Sequence, residues 1–104
     1  MELKDKLTAA LAVIPGTRVL RVKPGRDRWL VYAVSKTFSA QTYLERQRAI
    51  DAALAGAHSP LTPEEIRSIG LVVTYSPREL RGRLAELRAN RARRLKQKPA
   101  EPTP

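Results

Sequence analysis

Few residues in this chain can do covalent or acid–base chemistry. It has one histidine, His58, and no cysteine, so thiol nucleophiles, disulfides and cysteine zinc sites are excluded. His58 falls in Gly56-Ala57-His58-Ser59-Pro60, a loop sequence in which a lone imidazole is solvated. A metal site needs three or four groups converging on the ion, and no carboxylate–histidine spacing here supplies them. The adjacent carboxylates Glu64 and Glu65 follow Thr62-Pro63. They fit the first turn of a helix, offsetting the positive end of its dipole, better than a general acid–base pair. Ser35, Ser39 and Ser76 have no histidine placed to act as a base. Gly16, Gly25, Gly56, Gly70 and Gly82 are isolated, so there is no glycine loop to cradle a phosphate and no GxxG clamp for an RNA backbone. These residues predict a protein that is not an enzyme, takes no small-molecule substrate and carries no cofactor or metal.

Charge is the chemistry that remains. Twenty Lys and Arg face ten Asp and Glu, a net charge of +10 with a pI near 10.9. Residues 1–80 hold twelve basic and eight acidic side chains; residues 81–104 hold eight basic and two acidic. In that last stretch Arg81, Arg83, Arg88, Arg91, Arg93, Arg94, Lys96 and Lys98 are opposed locally by Glu86 alone. Like charges at this spacing repel and weaken a helix near physiological salt, and an anionic partner relieves the repulsion. Six of the eight are arginines, whose planar fork suits bidentate phosphate contact. The expected partner is nucleic acid, DNA before RNA, held through backbone phosphates by Arg88, Arg91, Arg93, Arg94 and Lys96. On the body, Lys36, Arg46, Arg48 and Arg67 are candidates for further phosphate contacts. Arg46 and Arg48 lie two apart on a helix, about 200° around it, so at least one faces away from the core. The alternative for both is to cover apolar surface or pair with Glu45 and Asp51. A membrane is a poorer partner, because three leucines followed by arginines make a weak amphipathic membrane helix. No apolar run approaches the roughly 20 residues of a membrane span and no signal-peptide pattern opens the chain, which predicts a soluble, cytoplasmic protein.

The elements that must position these cations are legible from periodicity. At 104 residues the chain is one small domain. Leu3, Leu7, Leu11 and Ile14 form one stripe of a short helix that Pro15-Gly16 stops. Thr17 to Lys23 and Arg28 to Ser35 read as strands joined by the turn Lys23-Pro24-Gly25-Arg26-Asp27. The second strand is apolar on both faces and is expected at the centre of the sheet; the first, with Arg18 and Arg21 on opposite faces, at its edge. A helix follows, with Ser39 as its cap and a stripe of Tyr43, Leu44, Ile50 and Leu54 with Ala40 and Ala53, interrupted at Gln47 where the helix could kink. Thr62-Pro63-Glu64-Glu65 starts a one-turn helix, Ile69 to Tyr75 a third strand, and Ser76-Pro77-Arg78-Glu79 a long last helix with Leu80, Leu84 and Leu87 on one side. That helix is expected to dock by its first three turns and run into solvent. The predicted divisions are a body over 1–80, a basic helix over 81–98 and a disordered tail over 99–104.

The order helix, strand, strand, helix, short helix, strand, long helix predicts an α+β fold, a three-stranded sheet with helices packed on one face, and the third strand returning by a crossover. Class II KH-like domains share this layout. From Trp29 to Leu80 the sequence resembles the BolA family. The strand end Val34-Ser35-Lys36-Thr37-Phe38, the helix Tyr43-Leu44-Glu45-Arg46-Gln47-Arg48-Ala49-Ile50, the segment Ile66-Arg67-Ser68-Ile69 and the last helix start Ser76-Pro77-Arg78-Glu79 carry the resemblance. It implies either a nucleic-acid-binding transcriptional regulator or a partner of a monothiol glutaredoxin around a shared iron–sulfur cluster. Gln47 and Arg67 stand where the family has histidines, Ala40 where it has a glycine, and the hairpin loop lacks Cys and His. An iron–sulfur cluster needs thiolate or imidazole ligands, and His58 is the sole candidate, so the regulator is the expected role. An adaptor for a glutaredoxin and an RNA- or ribosome-associated interaction module are the alternatives.

Overall fold

The computed structural model describes residues 2–97; Lys98 and the expected tail over 99–104 lie outside the described residues. The elements run α1 (Leu3–Leu11), β1 (Arg18–Pro24), β2 (Trp29–Val34), a 3-10 turn (Lys36–Ala40), α2 (Tyr43–Leu54), α3 (Pro63–Arg67), β3 (Ile69–Tyr75) and α4 (Pro77–Gln97). The sheet order is β1-β2-β3, with β1 antiparallel and β3 parallel to β2. The doubly apolar β2 is therefore central, and β1 is an edge.

One face of the sheet carries the core. Val19, Val31, Ala33 and Val72 pack there against Leu7, Ala10 and Leu11 of α1 and Ile50, Ala53 and Leu54 of α2, with Phe38 fully buried beneath them. The α1 stripe ends one turn early, and Ile14 stays buried beyond the helix. The turn that follows needs Gly16, whose φ of 73° lies where a side chain is strained. The α2 stripe differs from expectation. Tyr43 and Leu44 are exposed, and the inward position goes to Arg46, in line with Ile50, Ala53 and Leu54. Ser39 does not cap this helix. It sits in the 3-10 turn, which Ser35 caps, and the α2 cap is Thr42. Thr42 Oγ1 accepts from the Glu45 amide at 3.2 Å while Glu45 Oε1 accepts from the Thr42 amide at 2.7 Å, two orphan donors satisfied reciprocally. Nor does α2 break at Gln47: the side-chain amide donates to the Val72 carbonyl at 3.1 Å, covering the outer edge of β3. Thr62 and Glu65 form the expected capping box of α3.

A second departure reshapes the other face of the sheet. Pairing runs Arg18 with Val34, Val19 with Ala33, then Arg21 with Tyr32, so Leu20 is an extra residue in a β-bulge. The bulge cancels the alternation of β1. Strict alternation puts Arg18 and Arg21 on opposite faces; with the bulge they share the face that α1 and α2 leave open, joined there by Lys23 opposite Leu30. The helix α4 rises from this side. Val34 is almost buried, and it lines a cleft with Pro77 and Leu80, so only the first turns of α4 dock. The described chain spans 59 × 30 × 23 Å with a radius of gyration of 17.0 Å, against about 13 Å for a compact chain of this size; the excess is the projecting helix.

Candidate nucleic-acid interface

The root of α4 is fixed by one carboxylate. Ser76 Oγ accepts from the Glu79 amide at 3.2 Å, and Glu79 Oε1 accepts from the Ser76 amide at 2.8 Å. The same carboxylate takes the Arg46 guanidinium at two points, Nη1 to Oε1 at 2.7 Å and Nη2 to Oε2 at 3.2 Å. Arg46 also donates to the Phe38 carbonyl from Nε at 3.0 Å and from Nη2 at 2.7 Å, and from Nη1 to the Thr74 carbonyl at 3.4 Å. Its guanidinium carbon stands 5.7 Å from the centroid of the Phe38 ring. One side chain thus joins α2, the 3-10 turn, β3 and α4. The Arg46 guanidinium, and next the Ser76 amide, hold the Glu79 carboxyl down at about 2 against an ordinary 4.5.

This corrects the expectation for Arg46. It is 9% exposed and every nitrogen of its fork is engaged within the protein, so it is a structural clamp and not a phosphate contact. Arg48 and Arg67 are exposed, but they belong to α2 and α3, in the layer on the far side of the sheet from α4; Arg67 lies 3.7 Å from Glu64. They are absent from the lining of the surface around the root of α4.

Lys36 does join it. Ser35 Oγ and Thr37 Oγ1 both donate to the Pro15 carbonyl, at 2.9 and 2.8 Å, tying the end of β2 to the turn at Gly16. The Lys36 stem then lies over Gly16, in a cleft of about 450 Å³ that Arg18 and Arg81 also line. On the other flank of α4 a second cleft, of about 400 Å³, is lined by Arg21, Lys23 and Arg83 together with Tyr32, Tyr75 and Leu87. Leu80 belongs to both clefts, and neither lining includes a carboxylate. Arg83 makes an exposed ion pair with Glu86 at 3.8 Å, a contact of small strength in water. Beyond it Arg88, Arg91, Arg93 and Arg94 are exposed along the projecting helix, Arg93 donating to the Asn90 side-chain oxygen; Lys96 falls on the last turn. The sequence does not mark the β1 cations Arg18, Arg21 and Lys23 as part of this surface, because their common face depends on the bulge at Leu20.

His58 is exposed in the loop after α2, and among the described residues no three His, Cys, Asp or Glu side chains come together to hold a metal. With no cysteine and one loop histidine, the donor set does not fit an iron–sulfur cluster. Among the described residues no helix is long and apolar enough to cross a membrane.

The architecture matches the solved structure of a BolA protein homologue from Coxiella burnetii with a TM-score of 0.54 and 20% identity, over 78% of this chain and 97% of that chain. The fold is therefore BolA-like. No protein-family model matches the chain, and no curated protein matches it.

Proposed function

We propose that this BolA-like domain binds nucleic acid, DNA before RNA, chiefly through backbone phosphates, and acts as a transcriptional regulator. The observation that carries the reading is the pair of clefts flanking the root of α4, lined by six cations and no carboxylate, continued by the exposed arginines of the projecting helix. A phosphate backbone repeats charge at short intervals, and a charged helix about 30 Å long beside a basic sheet face meets several phosphates at once. These contacts position the nucleic acid without reading its bases.

The test is the salt dependence of affinity. With about six phosphates engaged, log K falls with log salt at a slope of about −5 on duplex DNA. Replacing Arg88, Arg91, Arg93 and Arg94 together with Gln is expected to reduce the slope by about three to four units, since these side chains are exposed and the body does not rest on them. Fluorescence anisotropy between 50 and 200 mM salt reads both values, and RNA of matched length decides between the two nucleic acids. A slope unchanged by the four substitutions would remove α4 from the mechanism.

A further inference from the structure

The cleft between α4 and the open sheet face has a feature that phosphate binding alone does not use. Its floor carries Tyr32 and Tyr75 on adjacent strands, in registers two apart, Tyr32 beside Val73 and Tyr75 beside Val34. Both rings are half-buried and line the same cleft. Arg21 pairs directly with Tyr32 across the sheet, Lys23 follows on the same face, and Arg83 closes the opposite wall. Cations at the rim with aromatic rings on the floor are the arrangement that takes a single strand, its phosphates along the rim and its bases against the rings. In a duplex each base is already stacked between its neighbours and presents only its edges in the grooves, so paired bases have no free face to lay on rings at the floor of this cleft of about 400 Å³.

We propose that this cleft is a single-strand site, in which Tyr32 and Tyr75 stack on bases and Arg21, Lys23 and Arg83 hold the flanking phosphates. The proposal rests on the phosphate-binding reading above and adds to it a preference for unpaired over paired nucleic acid. The cations and tyrosines offer nothing that demands a ribose hydroxyl, so thymidylate serves as the probe.

Labelled oligothymidylate of about ten nucleotides and a duplex of the same length are titrated at one low salt concentration. Tyr32→Leu and Tyr75→Leu keep an apolar floor without a ring, and each is expected to weaken the strand by roughly tenfold while leaving the duplex unchanged. Tyr32→Phe and Tyr75→Phe, which keep the ring, are expected within about twofold of the original affinity. The ring signals of the unmodified protein give a reading that needs no variant to fold: oligothymidylate shifts Tyr32 and Tyr75 upfield and spares Tyr43, exposed on α2 in the opposite layer. Leucine variants that bind the strand as well as the original, or weaken strand and duplex alike, overturn the site while leaving phosphate binding intact. So does an oligoglutamate peptide that needs the two tyrosines when the strand does not. A protein that ignores strand and duplex alike in low salt overturns the phosphate reading itself.

Discussion

Glu79→Gln isolates the charge of the Arg46 clamp, because glutamine at the same position keeps an oxygen for the Ser76 amide and preserves the capping box. What it removes is the counter-charge of a guanidinium whose side chain is 11% exposed. The depression of the Glu79 carboxyl from 4.5 to about 2 corresponds to a ceiling of roughly 3 kcal/mol, at 1.36 kcal/mol per unit. Glu79 itself is half exposed, at 49%, and water screens much of that, leaving an expected loss of about 1–2 kcal/mol. For a domain of this size that is a fall of roughly 5–15 °C in melting temperature near neutral pH. The sign of the pH dependence follows from the depressed carboxyl. Its stabilisation is fully present above about 4.5 and is lost as the pH falls through about 2. The melting-temperature gap between the unmodified protein and Glu79→Gln is therefore expected to be constant from neutral pH down to about 5 and to close between about 4.5 and 2. Thermal unfolding followed by circular dichroism across that range measures it. A gap under 2 °C at pH 7, or one that stays open at pH 2, would refute the clamp as an electrostatic device and leave Arg46 a merely packed side chain.

Two smaller perturbations test the rest of the framework. Gly16→Ala places a side chain at a φ of 73° and within 3.2 Å of the Lys36 Cγ; the flexible lysine can move but the backbone strain remains. The expected cost is about 1 kcal/mol, read from chemical denaturation. Lys6→Met removes the ammonium that donates to Glu65 Oε2 at 2.6 Å and joins α1 to α3. Lys6, and then the Thr62 amide, lower the Glu65 carboxyl below its ordinary value, so its NMR titration midpoint is expected to rise toward 4.5 in the variant. In the unmodified protein this contact contributes above that ordinary value and fades as acid protonates the carboxylate.

Much of the fold was legible because it is written in local signals. The apolar β2, the turn at Pro24-Gly25 and the Thr62/Glu65 and Ser76/Glu79 starts each specify an element within a few residues. Thr42-Tyr43-Leu44-Glu45 is a signal of the same kind, with the capping residue three positions before the glutamate, and it outcompetes Ser39. The apolar residues Tyr43 and Leu44 misdirected the α2 face, because an arginine at the inward position looks like an error of pattern. Arg46 is tolerated there by a carboxylate from α4, 33 residues along the chain, and by two carbonyls from elements that meet only in the fold.

The interface is half visible in the sequence for the same physical cause. The arginines of α4 are a local excess, countable in any window of the sequence. The cations of β1 become part of the surface only through Leu20, a leucine in a run of strand-forming residues that nothing in composition marks as the extra one. Its effect is to convert an edge strand with charges on two faces into one that gathers three of them on the open face. That bulged, charged and proline-ended edge also resists pairing with another sheet. One backbone irregularity therefore protects the edge and supplies the rim of the cleft, and strand register, more than charge count, decides where the anion is received.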